Sequence, residues 1–251
     1  MTSRLLLVRH GQTEWNAEGR LQGQQGSKLN ALGRIQAEEV AEELALKHPG
    51  VEAVYTSDLS RTVETAQTIA RRLEVPLVLD PRLRELRLGD WEGRLNCEIE
   101  AEYKHFLQHP FRNTPLGGEP LFQLARRTKA VLNDIVAQHP GGLVVVVSHE
   151  VPIAVATCIA RGRAVHRWWE YAPGNCEIVA LRWPGDLTVI LTPQVARRRR
   201  LRHMRRGLVM YPYRKARRTL RVIWVVARYN SRRSRRITRW ALNRLKRVWT
   251  H

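Results

Sequence analysis

The sequence predicts an α/β fold, a three-layer α/β/α sandwich with a mostly parallel central sheet. Short apolar segments at Leu5–Val8 and Val54–Ser57 predict two strands. The uninterrupted apolar segment Leu143–Val147 predicts a third strand that is buried on both faces, as strands of parallel sheets are. Strands that alternate with helical patterns along a chain build such a sandwich.

Three long helices are predicted between these strands: Ala31–Lys47, Leu59–Leu73 and Leu121–Gln138. The second helix follows its strand closely, with Ser57 or Asp58 as the expected N-cap. After these helices, Pro184–Asp186 predicts a turn that joins a strand at Cys176–Trp183 to one at Leu187–Thr192.

Basic and imidazole side chains follow each of the three predicted strands. Arg9 and His10 come after the first strand, Arg61 lies in the first turns of the helix after the second, and His149 follows the third. Ligands of open α/β sheets bind at these carboxyl ends. A cation is disfavoured at a helix start, so the position of Arg61 indicates a bound anion.

A carboxylate is supplied by a loop-like segment, Leu83–Gly93, which also holds two glycines and a tryptophan. Glu85, Asp90 and Glu92 are each candidates for a catalytic acid. Composition alone does not choose among these three.

Together these residue types suit phosphoryl transfer through a phosphohistidine. A neutral His10 would attack phosphorus and divide the displacement into two steps. Arg9, Arg61 and His149 would stabilise the negative charge of the transferred group. An acid would protonate the leaving oxygen and then activate water. The scheme requires no metal ion and no cofactor, and its substrate is a small phosphorylated molecule.

Six segments resemble the histidine phosphatase superfamily, in its phosphoglycerate-mutase-like branch, and they occur in the order of that family. They lie within about the first three quarters of the chain: LLLVRHGQTEWN at Leu5–Asn16, LQG at Leu21–Gly23, ALGRIQA at Ala31–Ala37, TSDLSRTVETA at Thr56–Ala66, LRELRLGDWEG at Leu83–Gly93 and VVVSHEVPI at Val145–Ile153.

The resemblance implies a role for each matching position. His10 would be the phosphorylated nucleophile, and Arg9, Arg61 and His149 would form the phosphate pocket. Glu85 matches the proton donor of the family. Further substrate-binding groups are implied at three positions: Asn16, Gln22 and Gly23.

The acid-phosphatase branch places an aspartate directly after the second histidine, where this chain has Glu150, so Glu85 is the better match for the acid. Two segments depart from the pattern of the family. Gly26 and Lys28 precede Leu29 where relatives often carry an acidic residue and a proline, and the common GGES motif is Gly117-Gly118-Glu119-Pro120 here. Neither departure touches the predicted catalytic set, but both lie near segments that shape access for the substrate.

Three functions are compatible with these motifs. The glutamate segment and the short helical insert around Asn96–Pro110 favour a phosphatase that hydrolyses small phosphomonoesters. The first alternative is a cofactor-dependent phosphoglycerate mutase. The second is a phosphoprotein- or polyanion-binding module in which the C-terminal extension is the main functional part. A pure binder needs no acid, so the presence of Glu85 beside the other four residues argues for catalysis.

Charge divides the chain into two parts, a domain at 1–196 and an extension at 197–251. The first holds 22 basic and 23 acidic residues, whereas the second holds 21 basic residues and no acidic one. Such extensions are often solvated and disordered. This one also places apolar residues on one face of a predicted helix: Ile237, Trp240, Ala241, Leu245, Val248 and Trp249.

The extension has three interpretations: a segment that binds a membrane surface, a segment that binds nucleic acid or another polyanion, and a functionally silent extension; the composition favours the first. An amphipathic basic helix with tryptophans is typical of a segment that lies on an anionic membrane surface. Nucleic acid or another polyanion is the alternative, because the same cations can neutralise phosphates while aromatic rings stack on bases. The segment Val222–Ala227 is too short to span a bilayer, which takes about 20 apolar residues. Oligomeric state is not predicted.

Cysteine usage and the N-terminus predict a reduced, cytoplasmic setting. The membrane interpretation of the extension would add peripheral attachment to the membrane surface. Cys97, Cys158 and Cys176 lack the spacing of a zinc site or a disulfide framework. Only four consecutive apolar residues precede Arg9, too few for a signal peptide.

Overall fold

A computed structural model describes residues 3–108, 110 and 113–183. Its centre is a five-stranded sheet in the spatial order β3-β2-β4-β1-β5. β5 pairs with β1 in the antiparallel direction, and every other pairing is parallel. The strands are β1 Ser3–Arg9, β2 Val51–Thr56, β3 Leu77–Leu79, β4 Leu143–Ser148 and β5 Ile178–Trp183.

Six α-helices accompany the sheet in the described residues, with short 3₁₀ turns between some of them. They are α1 Glu14–Glu18, α2 Ala31–Lys47, α3 Ser60–Leu73, α4 Glu100–Gln108, α5 Leu121–Gln138 and α6 Glu150–Ala160. The bounds of α2 and α5 equal the predicted ones, and α3 begins one residue later than predicted.

The alternation of side chains along the strands explains the layers. In β1, Leu5 and Leu7 face one way and pack with residues of α5 and α6. Leu6 and Val8 face the opposite way and pack with residues of α2 and α3. β4 is buried along its whole length, as its apolar sequence predicts. The three-layer α/β/α prediction is confirmed.

One local prediction about α3 is wrong. Leu59 occupies the N-cap position of this helix, and its side chain makes no capping hydrogen bond. The Ser57 hydroxyl accepts a long bond from the Leu59 amide at 3.4 Å but is engaged mainly elsewhere. A second contact of Ser57, with an imidazole, explains the difference and is described below.

Several predictions lie outside the described residues. They include the turn at 184–186, the strand after it and the extension at 197–251, so the predicted domain boundary stays a prediction. In the part of the chain that the structure describes, no helix is long and apolar enough to cross a membrane.

Candidate active site

The two histidines meet because β1 and β4 are neighbours that end in register. Arg9 pairs with Ser148, and the His10 amide donates to the Ser148 carbonyl at 3.1 Å. The next residue of each strand is therefore an imidazole at the same edge of the sheet. The ring centroids of His10 and His149 lie 5.3 Å apart in an edge-to-face arrangement.

His10 is held in one tautomer by its own main chain. Its Nδ1 lies 2.7 Å from the Gly11 carbonyl oxygen, which can only accept, so Nδ1 carries the hydrogen and Nε2 keeps a lone pair. Burial, followed by the charges of Arg61 and Arg9, lowers the pKa of His10 well below its usual value. The ring is thus neutral at physiological pH, as a nucleophile must be.

His149 is oriented by a hydroxyl pair from the turn between β2 and α3. Its Nε2 lies 2.8 Å from the Ser57 hydroxyl, which lies 2.6 Å from the hydroxyl of Thr62. Its Nδ1 is buried and has no hydrogen-bond partner among the described residues. Burial and the charge of Arg61 lower the pKa of His149 well below its usual value.

Arg61 is the second residue of α3 and is almost completely buried. Its two terminal nitrogens donate to main-chain carbonyls, Nη1 to Gln25 at 2.6 Å and Nη2 to Gly23 at 2.7 Å. Its Nε has no partner in the described structure. Burial lowers the pKa of Arg61 to about 10, so the side chain is still a cation at neutral pH.

Arg9 reaches the same site from the end of β1. Its Nη1 forms an ion pair with Glu150 Oε2 at 2.6 Å and donates to the Pro173 carbonyl at 2.8 Å. Its Nε is buried, and no described residue accepts from it. Glu150 is the first residue of α6 and directly follows His149.

Among the three candidate acids, only Glu85 combines burial with proximity to the cations. Its Oε1 accepts from the Leu86 amide at 2.8 Å and the Val151 amide at 3.3 Å. Burial raises the pKa of Glu85 to about 7, although Arg61 and Arg9 are close enough to oppose the shift. Asp90 is exposed.

Glu92, the third candidate, is already engaged by the main chain. Its carboxylate accepts from the amides of Gln24 at 3.0 Å, Leu88 at 2.9 Å and Gln25 at 3.3 Å. Glu92 therefore joins two loops: the one whose carbonyls bind Arg61 and the one that carries Glu85. The motif alone does not reveal this structural role.

The three residues with weaker predictions border this set. A Cβ on Gly26 would lie 2.5 Å from Gln22 Oε1 and 3.0 Å from Arg61 Nη1, so Gln22 is beside Arg61, and its Oε1 is buried without a partner among the described residues. Asn16 accepts through Oδ1 from the Thr13 amide at 3.2 Å. The observed role of Gly23 is to hold Arg61 with its carbonyl.

Asn175 was missed by the sequence analysis, because no motif marks it. Its Nδ2 donates to the His10 carbonyl at 3.0 Å and to Asn16 Oδ1 at 3.3 Å. It stands two residues after Pro173, the carbonyl partner of Arg9. The segment before β5 therefore fixes both members of the Arg9-His10 pair, a contact over more than 160 positions of sequence.

The site's positive charge comes from two guanidinium groups. Within the described ranges, no cluster of three or more His, Cys, Asp or Glu side chains is placed to share a metal ion. The expectation that neither a metal ion nor a cofactor takes part stays a prediction.

Known proteins are similar in sequence to this chain along most of its length. A model of the histidine phosphatase superfamily (branch 1) matches residues 5–195. Phosphoserine phosphatase 1 of Hydrogenobacter thermophilus is 32% identical over 192 residues, which are 75% of this chain and 90% of that protein. Probable phosphoglycerate mutase GpmB of Proteus mirabilis is 37% identical over 180 residues, 68% of this chain and 81% of that protein.

A solved structure with the same fold is that of a mycobacterial glucosyl-3-phosphoglycerate phosphatase in complex with VO3. It matches with a TM-score of 0.68 at 30% identity, covering 75% of this chain and 98% of that one.

Proposed function

The chain belongs to the histidine phosphatase superfamily, and from that premise we propose that it hydrolyses small phosphomonoesters through a phosphohistidine at His10, without a metal ion. Its general class, a phosphomonoester hydrolase, agrees with the names of relatives. The intermediate, the metal independence and the size of the substrate are the parts that we propose.

One observation supports this proposal most strongly. Three buried nitrogens, Nε of Arg9, Nε of Arg61 and Nδ1 of His149, have no partner among the described residues. All three belong to side chains near the neutral imidazole of His10, since the two guanidinium charges act on its pKa and the His149 ring lies 5.3 Å away. Buried polar groups are nearly always hydrogen-bonded. A phosphoryl group at His10 Nε2 would supply oxygens to all three, and its negative charge suits two guanidinium groups.

In the first step, His10 Nε2 attacks phosphorus and the bond from phosphorus to the ester oxygen breaks. Glu85 enters this step as the carboxylic acid and gives its proton to the leaving oxygen, which departs as an alcohol. Arg9 and Arg61 bind the equatorial oxygens, on which the negative charge is spread in the transition state.

In the second step, Glu85 is a carboxylate and accepts a proton from water. The water oxygen attacks phosphorus, the bond between phosphorus and Nε2 breaks, and inorganic phosphate leaves. Glu85 is again an acid and His10 is again neutral. A pKa near 7 suits a group that must act in both forms at neutral pH.

A phosphorus NMR experiment tests this function. The full chain, treated with EDTA, is mixed with several small phosphomonoesters that include 3-phosphoglycerate. We expect inorganic phosphate to appear and His10→Ala to abolish its release, whereas His48→Ala, at the far end of α2, leaves the rate unchanged.

Three outcomes would contradict the proposal. Formation of 2-phosphoglycerate without free phosphate would indicate a mutase instead. Loss of phosphate release with EDTA, restored by a divalent cation, would show that a metal takes part. If no ester changed at all, a binding function would be favoured.

A further inference from the structure

Arg127 on α5 uses every hydrogen-bond donor of its guanidinium, some on the carboxylate of Glu119 and the others on main-chain carbonyls. Nε donates to Glu119 Oε1 at 2.7 Å and Nη2 to Glu119 Oε2 at 2.8 Å. Nη1 donates to the carbonyls of Arg82 at 2.7 Å and Arg84 at 2.6 Å, and Nη2 also donates to the carbonyl of Glu85 at 2.9 Å. Five donors therefore make five bonds.

Three of these bonds hold the main chain that carries the proposed acid. Arg84 and Glu85 belong to no helix or strand, so their carbonyls lack the partners that regular structure would supply. The carbonyl of Leu83, which lies between those that Arg127 binds, accepts instead from the Ser148 hydroxyl at 2.7 Å. Four successive carbonyls, those of residues 82–85, are thus each held by a side chain.

Glu119 fixes Arg127 in turn. The loop of Glu119 lies against the segment that follows Glu85, since the Glu119 amide donates to the Arg87 carbonyl at 2.8 Å. A Cβ on Gly89 would lie 1.9 Å from the Leu116 carbonyl oxygen, which shows how closely the two loops approach. The Glu119 and Arg127 side chains are 10% and 18% exposed, so their ion pair is largely shielded from solvent.

We propose that Arg127, held by Glu119, is a positioning residue that fixes the Glu85 carboxyl for proton transfer. This role rests on the proposed function. Within the described residues, two amides, those of Leu86 and Val151, are the only hydrogen-bond donors to the Glu85 side chain, so its place depends on where the main chain lies. The Gly117-Gly118-Glu119 motif thereby gains an indirect function in catalysis, through Arg127.

The test compares two kinds of leaving group by kcat/KM, which covers only the steps up to phosphoryl transfer to His10. An alkyl phosphomonoester needs a proton on its leaving oxygen, whereas p-nitrophenyl phosphate releases a stable phenolate that needs none. We expect Arg127→Met to lower kcat/KM about 100-fold for the alkyl ester, since a misplacement of about 1 Å can cost that much. For the aryl ester we expect a change below about threefold, because the acid is not used.

Three further variants isolate the cause. Arg126→Met, at an exposed neighbouring position of α5, is the matched control and should change neither value. Arg127→Lys keeps the charge but lacks the planar fork, so it should resemble Arg127→Met. Glu119→Gln keeps Arg127 itself and provides the readout if the Arg127 variants do not fold.

A double-mutant cycle with Glu85→Gln completes the test. If Arg127 acts through Glu85, adding Arg127→Met to Glu85→Gln should cost less than about threefold more for the alkyl ester. Equal losses for both esters, or additive losses in the cycle, would overturn the positioning role while the phosphatase function stands. A wild-type chain that hydrolyses neither ester would instead overturn the proposed function.

Discussion

Glu85 is a carboxyl whose ionisation is set by opposing neighbours. Burial raises its pKa most, and the charge of Glu150 raises it further. The Leu86 amide and the cations Arg61 and Arg9 lower it. The balance is a pKa of about 7, so the proton that the leaving oxygen needs is present below that pH and lost above it.

For an alkyl phosphomonoester, kcat/KM should therefore fall about tenfold per pH unit above pH 7, where free enzyme loses the Glu85 proton. The acidic limb should lie well below pH 6.5, since the pKa of His10, which must be neutral to attack, is lowered. A pH series of initial rates measures both limbs. Glu85→Gln should lower kcat/KM by about 10² to 10⁴ and remove the alkaline limb. An unchanged limb in this variant would assign it to another group.

Glu150→Gln should move the alkaline limb to lower pH. The substitution removes a negative charge that raises the pKa of Glu85, and it leaves the lowering effects of Arg61 and Arg9 in place. The same pH series measures the shift. Glu102→Gln, at an exposed position of α4, is the control and should leave the limb where it is. A shift to higher pH would contradict the electrostatic assignment.

At the scale of elements, the loop after β1 rests on the start of α2 through two glycines. A Cβ on Gly11 would lie 2.4 Å from the Gly33 carbonyl oxygen, and a Cβ on Gly33 would lie 2.0 Å from the Gln12 carbonyl oxygen. Asn30 caps α2 and donates to the Gln12 side chain at 3.0 Å. The residue that follows His10 is thus positioned by backbone contact with a helix.

Gly33→Ala should both destabilise the fold and reduce activity. The added methyl must displace the loop of Gln12, and overpacking of this kind costs about 1 to 3 kcal/mol. Gly162→Ala is the control, because its φ of +56° strains a side chain but no atom lies within 4 Å. Its cost is of the same order, about 1 to 3 kcal/mol. Thermal melts should show similar destabilisation of the two variants. Measurements of kcat/KM should show a loss of activity for Gly33→Ala alone.

Helices were predictable where local signals agree. α2 begins after Asn30, whose side chain caps the Gly33 amide at 2.8 Å, and α5 begins after Pro120. In the sequence, both helices are visible as segments with helical periodicity of apolar residues, and residues typical of helix ends mark their starts. The N-cap of α3 was predicted wrongly because the Ser57 hydroxyl binds His149, which is 92 positions away. A competing long-range partner leaves no local trace.

The same limit applies to the site. His10, Arg9, Arg61 and His149 were predictable because strand ends mark them, and Glu85 was predictable only through the family resemblance. Arg127 could not be assigned from its helical pattern, since its targets come from two distant loops. Residues that hold a catalytic group are harder to predict than the group itself, because their partners are main-chain carbonyls without a sequence signal.

Over the whole molecule, charge is divided very unevenly. The segment 197–251 contains 21 basic residues and no acidic residue, whereas residues 1–196 carry almost no net charge. Each cation near an anionic membrane contributes about 1 kcal/mol, an effect that falls off within a Debye length. Together with the tryptophans of its predicted amphipathic helix, this favours a membrane surface as the partner of the extension.

The full chain should therefore sediment with phosphatidylserine-containing vesicles, be released by salt and ignore pure phosphatidylcholine. Trp240→Ala, on the predicted apolar face, should weaken binding, since that face loses buried area. Trp224→Ala, outside that face, is the matched control. Binding to single-stranded RNA without binding to vesicles would favour nucleic acid, and binding to neither would leave the extension without a polyanionic partner.

The bond between His10 Nδ1 and the Gly11 carbonyl also determines which ring nitrogen can carry the phosphoryl group in the proposed intermediate. Because Nδ1 is committed as a donor, the phosphorylation that we propose for His10 is restricted to the tele nitrogen, Nε2, and the pros isomer is excluded. The two isomers differ in phosphorus chemical shift and in their recognition by isomer-selective antibodies. The covalent form of this chain should therefore carry a single positional isomer, even when it is quenched before water has attacked.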